Sequence, residues 1–178
     1  LIQTNLAAFN RYNLDAIVYV ASGCGAELHK HQNAFHAPLM EISRFLVQHS
    51  ASLKNLIGKQ LLSSKALLHC PCSMLNQTHE WADQQQLVNE LFDGQISQLP
   101  DNNVCCGSGG VHMLKHPDAA KKLLQPKLDD LSNNQADLLL TSNTGCKLHF
   151  QKGIKAKNLN VKVRHLVELI ADLLLKKQ

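Results

Sequence analysis

Two adjacent cysteines followed by a glycine-rich turn constrain this chain more than any other feature. Cys105 and Cys106 precede the segment Gly-Ser-Gly-Gly at 107–110. Neighbouring thiols strain the backbone if they form a disulfide with each other, whereas a glycine-rich loop lets both sulfurs turn toward one object. Thiolates in such a loop typically bind a metal ion or an iron–sulfur cluster. Cys72 upstream and Cys146 downstream supply further thiols, so the pattern predicts a metal centre.

The composition excludes several other classes of protein. A chain of 178 residues with 44% hydrophobic side chains can bury its own core, so its six cysteines fit metal ligation in a reducing compartment better than a secreted disulfide scaffold. The net charge of +4 is mild and the aromatic content is only 4%, which argues against a nucleic-acid partner. No apolar run is long enough to span a membrane. Because the chain begins at Leu1, without a signal peptide, we expect a cytoplasmic fragment of a longer protein.

Short apolar blocks alternate with amphipathic stretches along the chain. This alternation predicts an α/β fold with a mostly parallel sheet flanked by helices. The predicted strands cover residues 15–20, 65–69, 96–99, 137–141 and 161–164. The predicted helices cover residues 39–49, 84–92, 117–134 and 166–173.

An internal repeat divides the chain. Residues 15–25 align without gaps on residues 137–147, and each copy carries an aspartate, an apolar strand and a Gly-Cys pair. Cys24 and Cys146 are therefore equivalent, 122 residues apart. The second copy has its Cys-Cys pair upstream, whereas the matching pair of the first copy would fall before residue 1. We therefore expect residues 1–55 to be the remainder of a first cysteine-rich half, and residues 56–178 to be a complete second half.

Every cysteine follows the carboxyl end of a predicted strand. In an open parallel sheet these ends lie along one edge, where ligand sites form, and thiolate sulfur selects iron–sulfur clusters, zinc or Cu(I). We predict that one centre has the ligands Cys72, Cys105, Cys106 and Cys146. Cys24 is expected to belong to the site of the other half, and Cys70 to be a spectator thiol.

The loops around these thiols are expected to support the centre. Backbone amides of residues 107–110 and 142–145 could donate hydrogen bonds to sulfur, and helices beginning near Val111 and Lys147 would direct their positive dipole ends toward thiolates. The predicted supporting residues are Gly107, Gly109, Gly110, Asn143 and Gly145. Three histidines near the same edge are interpreted as solvated or hydrogen-bonded rather than as ligands: His69, His149 and His165.

The arrangement of Cys72, Cys105-Cys106-Gly107 and Cys146 resembles the cysteine-rich CCG domain of heterodisulfide reductases and of related iron–sulfur oxidoreductase subunits. Residues 105–110, 141–150 and 163–171 are most similar to the family of glycolate oxidase (glycolate dehydrogenase) iron–sulfur subunits. The resemblance implies a two-half α/β domain that follows a ferredoxin-like domain with two [4Fe–4S] clusters. It also implies electron transfer from a partner flavoprotein toward a quinone or another acceptor, in the cytoplasm or peripherally on the inner membrane.

The sequence departs from the family pattern in two places. No C-x2-C-x2-C-x3-C-P run is present, so the ferredoxin-like domain is missing, and Asn143 stands where the final C-x-x-C of the family has its first thiol. A five-thiolate non-cubane [4Fe–4S] cluster would lack one ligand here, whereas a four-thiolate iron–sulfur cluster is compatible with the chain. Zinc, as part of a structural or docking module without a redox role, is the alternative. Lactate and glycerol-3-phosphate systems are alternatives to glycolate, and the fragment alone is expected to be inactive and prone to lose its cluster.

Overall fold

The computed structural model describes residues 1–58 and 62–175, and in them the predicted α/β architecture is confirmed. The first part contains α1 Ile2–Asn10, β1 Ile17–Tyr19, α2 Ser22–His29, a 3-10 turn Gln32–Ala34, β2 Leu39–Glu41, α3 Ile42–Gln48 and α4 Ser50–Ile57. The second contains β3 Ala66–His69, a π-helical turn Met74–Thr78, α5 Trp81–Phe92, β4 Ile96–Gln98, α6 His112–Lys115, α7 Pro117–Asn133, β5 Leu138–Thr141, α8 Thr144–Ala156, β6 Lys162–Arg164 and α9 Leu166–Leu175. The second predicted half also includes residues 59–61 and 176–178, which lie outside the described residues.

All the strand pairs in the described ranges are parallel. The larger sheet has the order β4-β3-β5-β6, and the smaller sheet pairs β1 with β2. The register of the central pair runs from Ala66 opposite Leu138 to His69 opposite Thr141. The carboxyl ends of β3 and β5 therefore meet at one edge of the larger sheet, where the segments carrying the cysteines leave the strands.

The larger sheet is buried on both faces, which explains why β3 and β5 are continuous apolar blocks rather than alternating ones. Leu68 packs in a cluster with side chains of α4, α5 and α9, whereas Leu67 belongs to a second cluster with side chains of α7 and α8. Cys106 and Cys146 are members of the second cluster. Two of the predicted ligands are therefore anchored in the core, where close packing restricts side-chain motion.

The prediction of a helix over residues 39–49 was wrong at its beginning, because residues 39–41 form β2 and α3 begins only at Ile42. Leu39 and Glu41 are buried and pair with Ile17 and Tyr19, so tertiary pairing with β1 overrides the local pattern. The other predicted helices and strands are confirmed, with ends that differ by at most three residues. In the described part of the chain, no helix is both long and apolar enough to cross a lipid bilayer.

The order of elements repeats along the chain. The series β1–α2–β2–α3 has the same order as β5–α8–β6–α9, and α2 begins at Ser22 where α8 begins at Thr144, 122 residues later. The beginnings of these two helices lie against each other, because the Ser22 amide donates to the Ser142 carbonyl at 3.0 Å. The repeat that was found in the sequence therefore corresponds to two strand–helix units with the same helix start.

Candidate metal centre

Three segments that follow neighbouring strands bring the predicted ligands together. Cys72 comes three residues after the end of β3, and Cys105 and Cys106 lie in the loop between β4 and α6. The Cys72 thiol donates to Cys105 Sγ at 3.8 Å. The Cys106 thiol donates to Cys146 Sγ at 3.1 Å, so the four sulfurs form two close pairs.

Cys146 is positioned by the beginning of a helix. The sequence predicted a helix start near Lys147, but α8 begins at Thr144, so Cys146 lies within its first turn. Asn143 caps this helix, because its side-chain oxygen accepts from the Cys146 amide at 3.1 Å. The Cys146 sulfur is therefore close to the positive end of the α8 dipole, which favours a thiolate. The Ser108 hydroxyl lies 3.7 Å from Cys146 Sγ and is a further polar partner of this sulfur.

The glycine loop shapes the other side of the site. Gly107 has φ +87°, and a Cβ there would lie 2.7 Å from the Ala120 carbonyl oxygen, so the loop approaches α7 more closely than a side chain allows. Its amide donates to Cys105 Sγ at 3.3 Å, as expected for a loop that supports a thiolate. A Cβ at Gly145 would lie 3.4 Å from Ser108 Oγ. Two further predicted supporting positions, with positive φ, are Gly109 and Gly110.

The two thiols within each pair differ in proton affinity. The neighbouring Cys106 thiol, followed by the Cys72 thiol, lowers the pKa of Cys105, and the hydrogen bond from Cys106 lowers the pKa of Cys146. Interaction with the Cys105 sulfur is the main cause that raises the pKa of both Cys72 and Cys106. We therefore expect Cys105 and Cys146 to lose their protons first, giving one thiolate in each pair. Thiolate is the form of cysteine that binds a metal.

His69 is the residue near the thiols whose role the sequence did not indicate. A ring nitrogen of His69 and the Sγ atoms of Cys106 and Cys146 all lie within 4.8 Å of one another. The Nδ1 atom is 2.9 Å from Thr141 Oγ1, as the register of β3 and β5 dictates, whereas Nε2 is buried without a hydrogen-bond partner among the described residues. Burial lowers the pKa of His69 to about 3, so the ring is neutral at physiological pH.

Lys127 is a second residue that the sequence analysis missed. It lies on the apolar stripe of α7 between Leu124 and Leu131 and is only 2% exposed. Its ammonium group donates to the Asp101 carbonyl at 3.0 Å, and burial lowers its pKa. The lysine interacts electrostatically with Cys106. A cation inside the core near these thiols compensates for their negative charge. A lysine on the apolar stripe of a helix was the feature of the sequence that could have indicated this buried cation.

The two remaining cysteines lie apart from these pairs. Cys70 is buried, its sulfur contacts the Pro71 carbonyl at 3.8 Å, and burial raises its pKa to about 12. Cys24 is exposed in α2 at the position equivalent to Cys146, and it is not in the group of converging donor atoms in the described chain. Of the other histidines, His149 contacts the Ala120 carbonyl through Nε2, and His165 contacts the Val20 carbonyl.

The donor set fits a soft metal ion or an iron–sulfur cluster. All the cysteines of the chain are free, and four of them approach one another in two pairs at the sheet edge. The imidazole of His69 lies next to one pair and has a buried nitrogen without a partner in the described ranges, and such orphaned groups are rare in folded proteins unless a ligand satisfies them. Sulfur and imidazole ligands without carboxylates disfavour Mg²⁺ and Ca²⁺.

Comparison with known proteins agrees with this donor set. Residues 66–151 match the family model of the CCG cysteine-rich domain, which confirms the resemblance seen in the Cys-Cys-Gly motif. The chain is 27% identical over 169 residues to the glycolate oxidase iron-sulfur subunit of Escherichia coli (strain K12), an alignment that covers 90% of this chain and 40% of the relative. It is 28% identical over 190 residues to the probable glycolate oxidase iron-sulfur subunit of Bacillus subtilis (strain 168), covering 97% of this chain and 42% of the relative.

A third relative has a different name. Lactate utilization protein A of Halalkalibacterium halodurans is 28% identical over 134 residues, which covers 75% of this chain and 54% of the relative. The chain thus spans 40% to 54% of the length of these three relatives.

Proposed function

We propose that this chain is the carboxyl-terminal part of an iron–sulfur electron-transfer subunit that serves a flavin-dependent glycolate dehydrogenase or oxidase. The observation that carries the proposal is the convergence of two thiol pairs at one sheet edge, within the segment that matches the CCG domain. A bound cluster would supply one-electron redox chemistry, for which the protein provides ligation and electrostatics. Two of the relatives are named for glycolate and one for lactate, which favours glycolate. Lactate and glycerol-3-phosphate systems are the alternatives.

The residues of this chain would act on the cluster through ligation and charge. Cys72, Cys105, Cys106 and Cys146 are the proposed ligands. The Gly107 amide donates to Cys105 Sγ, and such a hydrogen bond raises the reduction potential of a thiolate-ligated centre. The buried ammonium group of Lys127 acts in the same direction, because a nearby positive charge stabilises the reduced and more negative state.

The organisation of the whole protein is part of the same proposal. Residues 1–55 would be the end of a first cysteine-rich half and residues 56–178 a complete second half, which the matching starts of α2 and α8 support. The ferredoxin-like domain with two [4Fe–4S] clusters, the flavoprotein partner and the quinone or other acceptor would complete the relay. We assign the assembly to the cytoplasm, or to the inner membrane as a peripheral complex.

A structural zinc site is the second candidate. The observation that favours it is the spacing within the group of His69, Cys106 and Cys146, whose donor atoms lie within 4.8 Å of one another, as ligands of a single tetrahedral ion do. In that case the chain would be a docking module without a redox role.

Anaerobic reconstitution with iron and sulfide tests both candidates. We expect the wild-type chain to gain thiolate-to-iron charge-transfer absorption and an EPR signal in one redox state, and a Cys105→Ser, Cys106→Ser double variant to gain neither. Cys70→Ser is the matched control, because this thiol at the same edge lies outside the two pairs, and it should reconstitute like wild type. If the double variant reconstitutes as well as wild type, the paired cysteines are not ligands. A wild-type chain that takes up zinc but no iron and sulfide would favour the second candidate.

A further inference from the structure

The environment of His69 is unusual for a core histidine. The residue is the last of β3, and only 1% of its surface is exposed. The Phe150 ring packs edge-on against the imidazole at a centroid distance of 4.9 Å, and Thr141 contacts Nδ1 at 2.9 Å. These two contacts hold the ring in one orientation. Because Nδ1 is occupied by Thr141, Nε2 is the nitrogen left to bind another group, and it has no partner in the described part of the chain.

The thiols are the groups that face this ring. A ring nitrogen of His69 and the sulfurs of Cys106 and Cys146 lie within 4.8 Å of one another, and all three residues are buried. The three donors come from β3, from the glycine loop after β4, and from the first turn of α8. A neutral imidazole whose other nitrogen is held by a hydroxyl group has the arrangement of a metal-ligating histidine with an outer partner.

Asn143 and His149 are two other side chains that could have supplied an additional donor. Asn143 uses its amide oxygen on the Cys146 amide and its amide nitrogen on the hydroxyl groups of Ser22 and Ser73, so its polar atoms are already paired. His149 also has a buried ring nitrogen without a partner, but it lies outside the group of converging donor atoms in the described residues.

We propose that Nε2 of His69 is a fifth ligand of the metal centre, beside Cys72, Cys105, Cys106 and Cys146, and that Thr141 orients it. The inference rests on the proposed function, because it assumes that a cluster occupies the thiol pairs. An imidazole ligand is neutral where a thiolate is negative, so it makes the centre easier to reduce than thiolate ligands alone do. His69 would therefore set the reduction potential as well as complete the ligand set.

Isotope labelling tests the proposal without any substitution. The chain is prepared in two forms, one with ¹⁵N only in its histidines and one with ¹⁴N in them. Each form is reconstituted with iron and sulfide and examined by pulsed EPR in the paramagnetic redox state. We expect a nitrogen coupling that changes with the isotope, as for an imidazole bonded to iron. A cluster that forms without this coupling overturns the ligation by His69 and leaves the proposed function standing. If no cluster forms in the wild-type chain, the proposed function fails and this inference falls with it.

Two matched variants assign the coupling to one residue. His69→Gln should lose the isotope-dependent coupling, whereas His149→Gln, which removes another buried histidine, should retain it. His69→Cys should hold as much cluster as wild type. Its reduction potential should shift to a more negative value, because a thiolate replaces a neutral ring. Persistence of the coupling in His69→Gln, or its loss in His149→Gln, would overturn the assignment to His69.

Discussion

The close approach of the glycine loop to α7 predicts a specific effect of one methyl group. Gly107 has φ +87°, and a Cβ there would lie 2.7 Å from the Ala120 carbonyl oxygen and 3.0 Å from Leu123 Cβ. Both contacts belong to α7, whose Leu124 and Leu128 are packed in the core, so the helix cannot retreat without disturbing that packing. We therefore expect Gly107→Ala to destabilise the fold from two separate causes.

The two causes can be given magnitudes. A left-handed backbone costs a residue with a side chain about 1–2 kcal/mol relative to glycine. Forcing a methyl group into a packed region costs about 1–3 kcal/mol more. The free energy of unfolding should fall by about 2–5 kcal/mol, a large part of the roughly 5–15 kcal/mol of a typical domain.

Gly110→Ala is the matched control, because Gly110 has φ +59° but a Cβ there would meet no heavy atom within 4 Å. It should show only the backbone cost of about 1–2 kcal/mol. The measurement is equilibrium urea unfolding of both metal-free variants and wild type, under reducing and anaerobic conditions. Equal losses of stability in the two variants would refute the close contact between Gly107 and α7.

Two further predictions concern buried charges. Lys127→Met should lower the reduction potential of the reconstituted centre by tens of millivolts, because it removes a buried positive charge near Cys105 and Cys106, whereas exposed Lys122→Met on the same helix should not. Potentiometric titration measures the shift, and equal potentials in all three proteins would contradict it. Burial raises the pKa of Glu41 from its ordinary value of 4.5 to about 7, so the folded chain binds more protons than the unfolded chain between these values, and stability should fall as the pH rises through this window. Glu41→Gln should flatten this fall in urea unfolding measured from pH 5 to pH 8, and an unchanged slope would exclude Glu41 as its cause.

The resemblance to the CCG domain and the fold class followed from local signals. The Cys-Cys-Gly motif led to the CCG domain, and the short apolar blocks led to a parallel sheet, since strands buried on both faces carry apolar side chains in succession. The order of strands and cysteines along the chain also predicted which sheet edge would carry the thiols. The wrong beginning of the helix over 39–49 shows the limit of such signals, because a three-residue strand is stabilised by its partner β1 rather than by its own sequence.

The roles of His69 and Lys127 could not be obtained in this way. A histidine before a cysteine is compatible with many environments, and only the register of β3 with β5 places Thr141 against Nδ1 and leaves Nε2 buried without a partner in the described residues. Lys127 lies on a predicted apolar stripe, but its contact with the Asp101 carbonyl joins α7 to a loop that is 26 residues away in the chain.

The sequence by itself determined the chemistry that is available, since the type and spacing of the cysteines and glycines are local properties of the chain. Only the tertiary structure decided how those thiols pair, as Cys72 with Cys105 and Cys106 with Cys146, and which other buried atoms surround them. The physical reason is that a donor set is defined by distances of a few ångströms between segments from different strands. Strand register and helix packing set those distances, and both depend on the whole core rather than on any one motif.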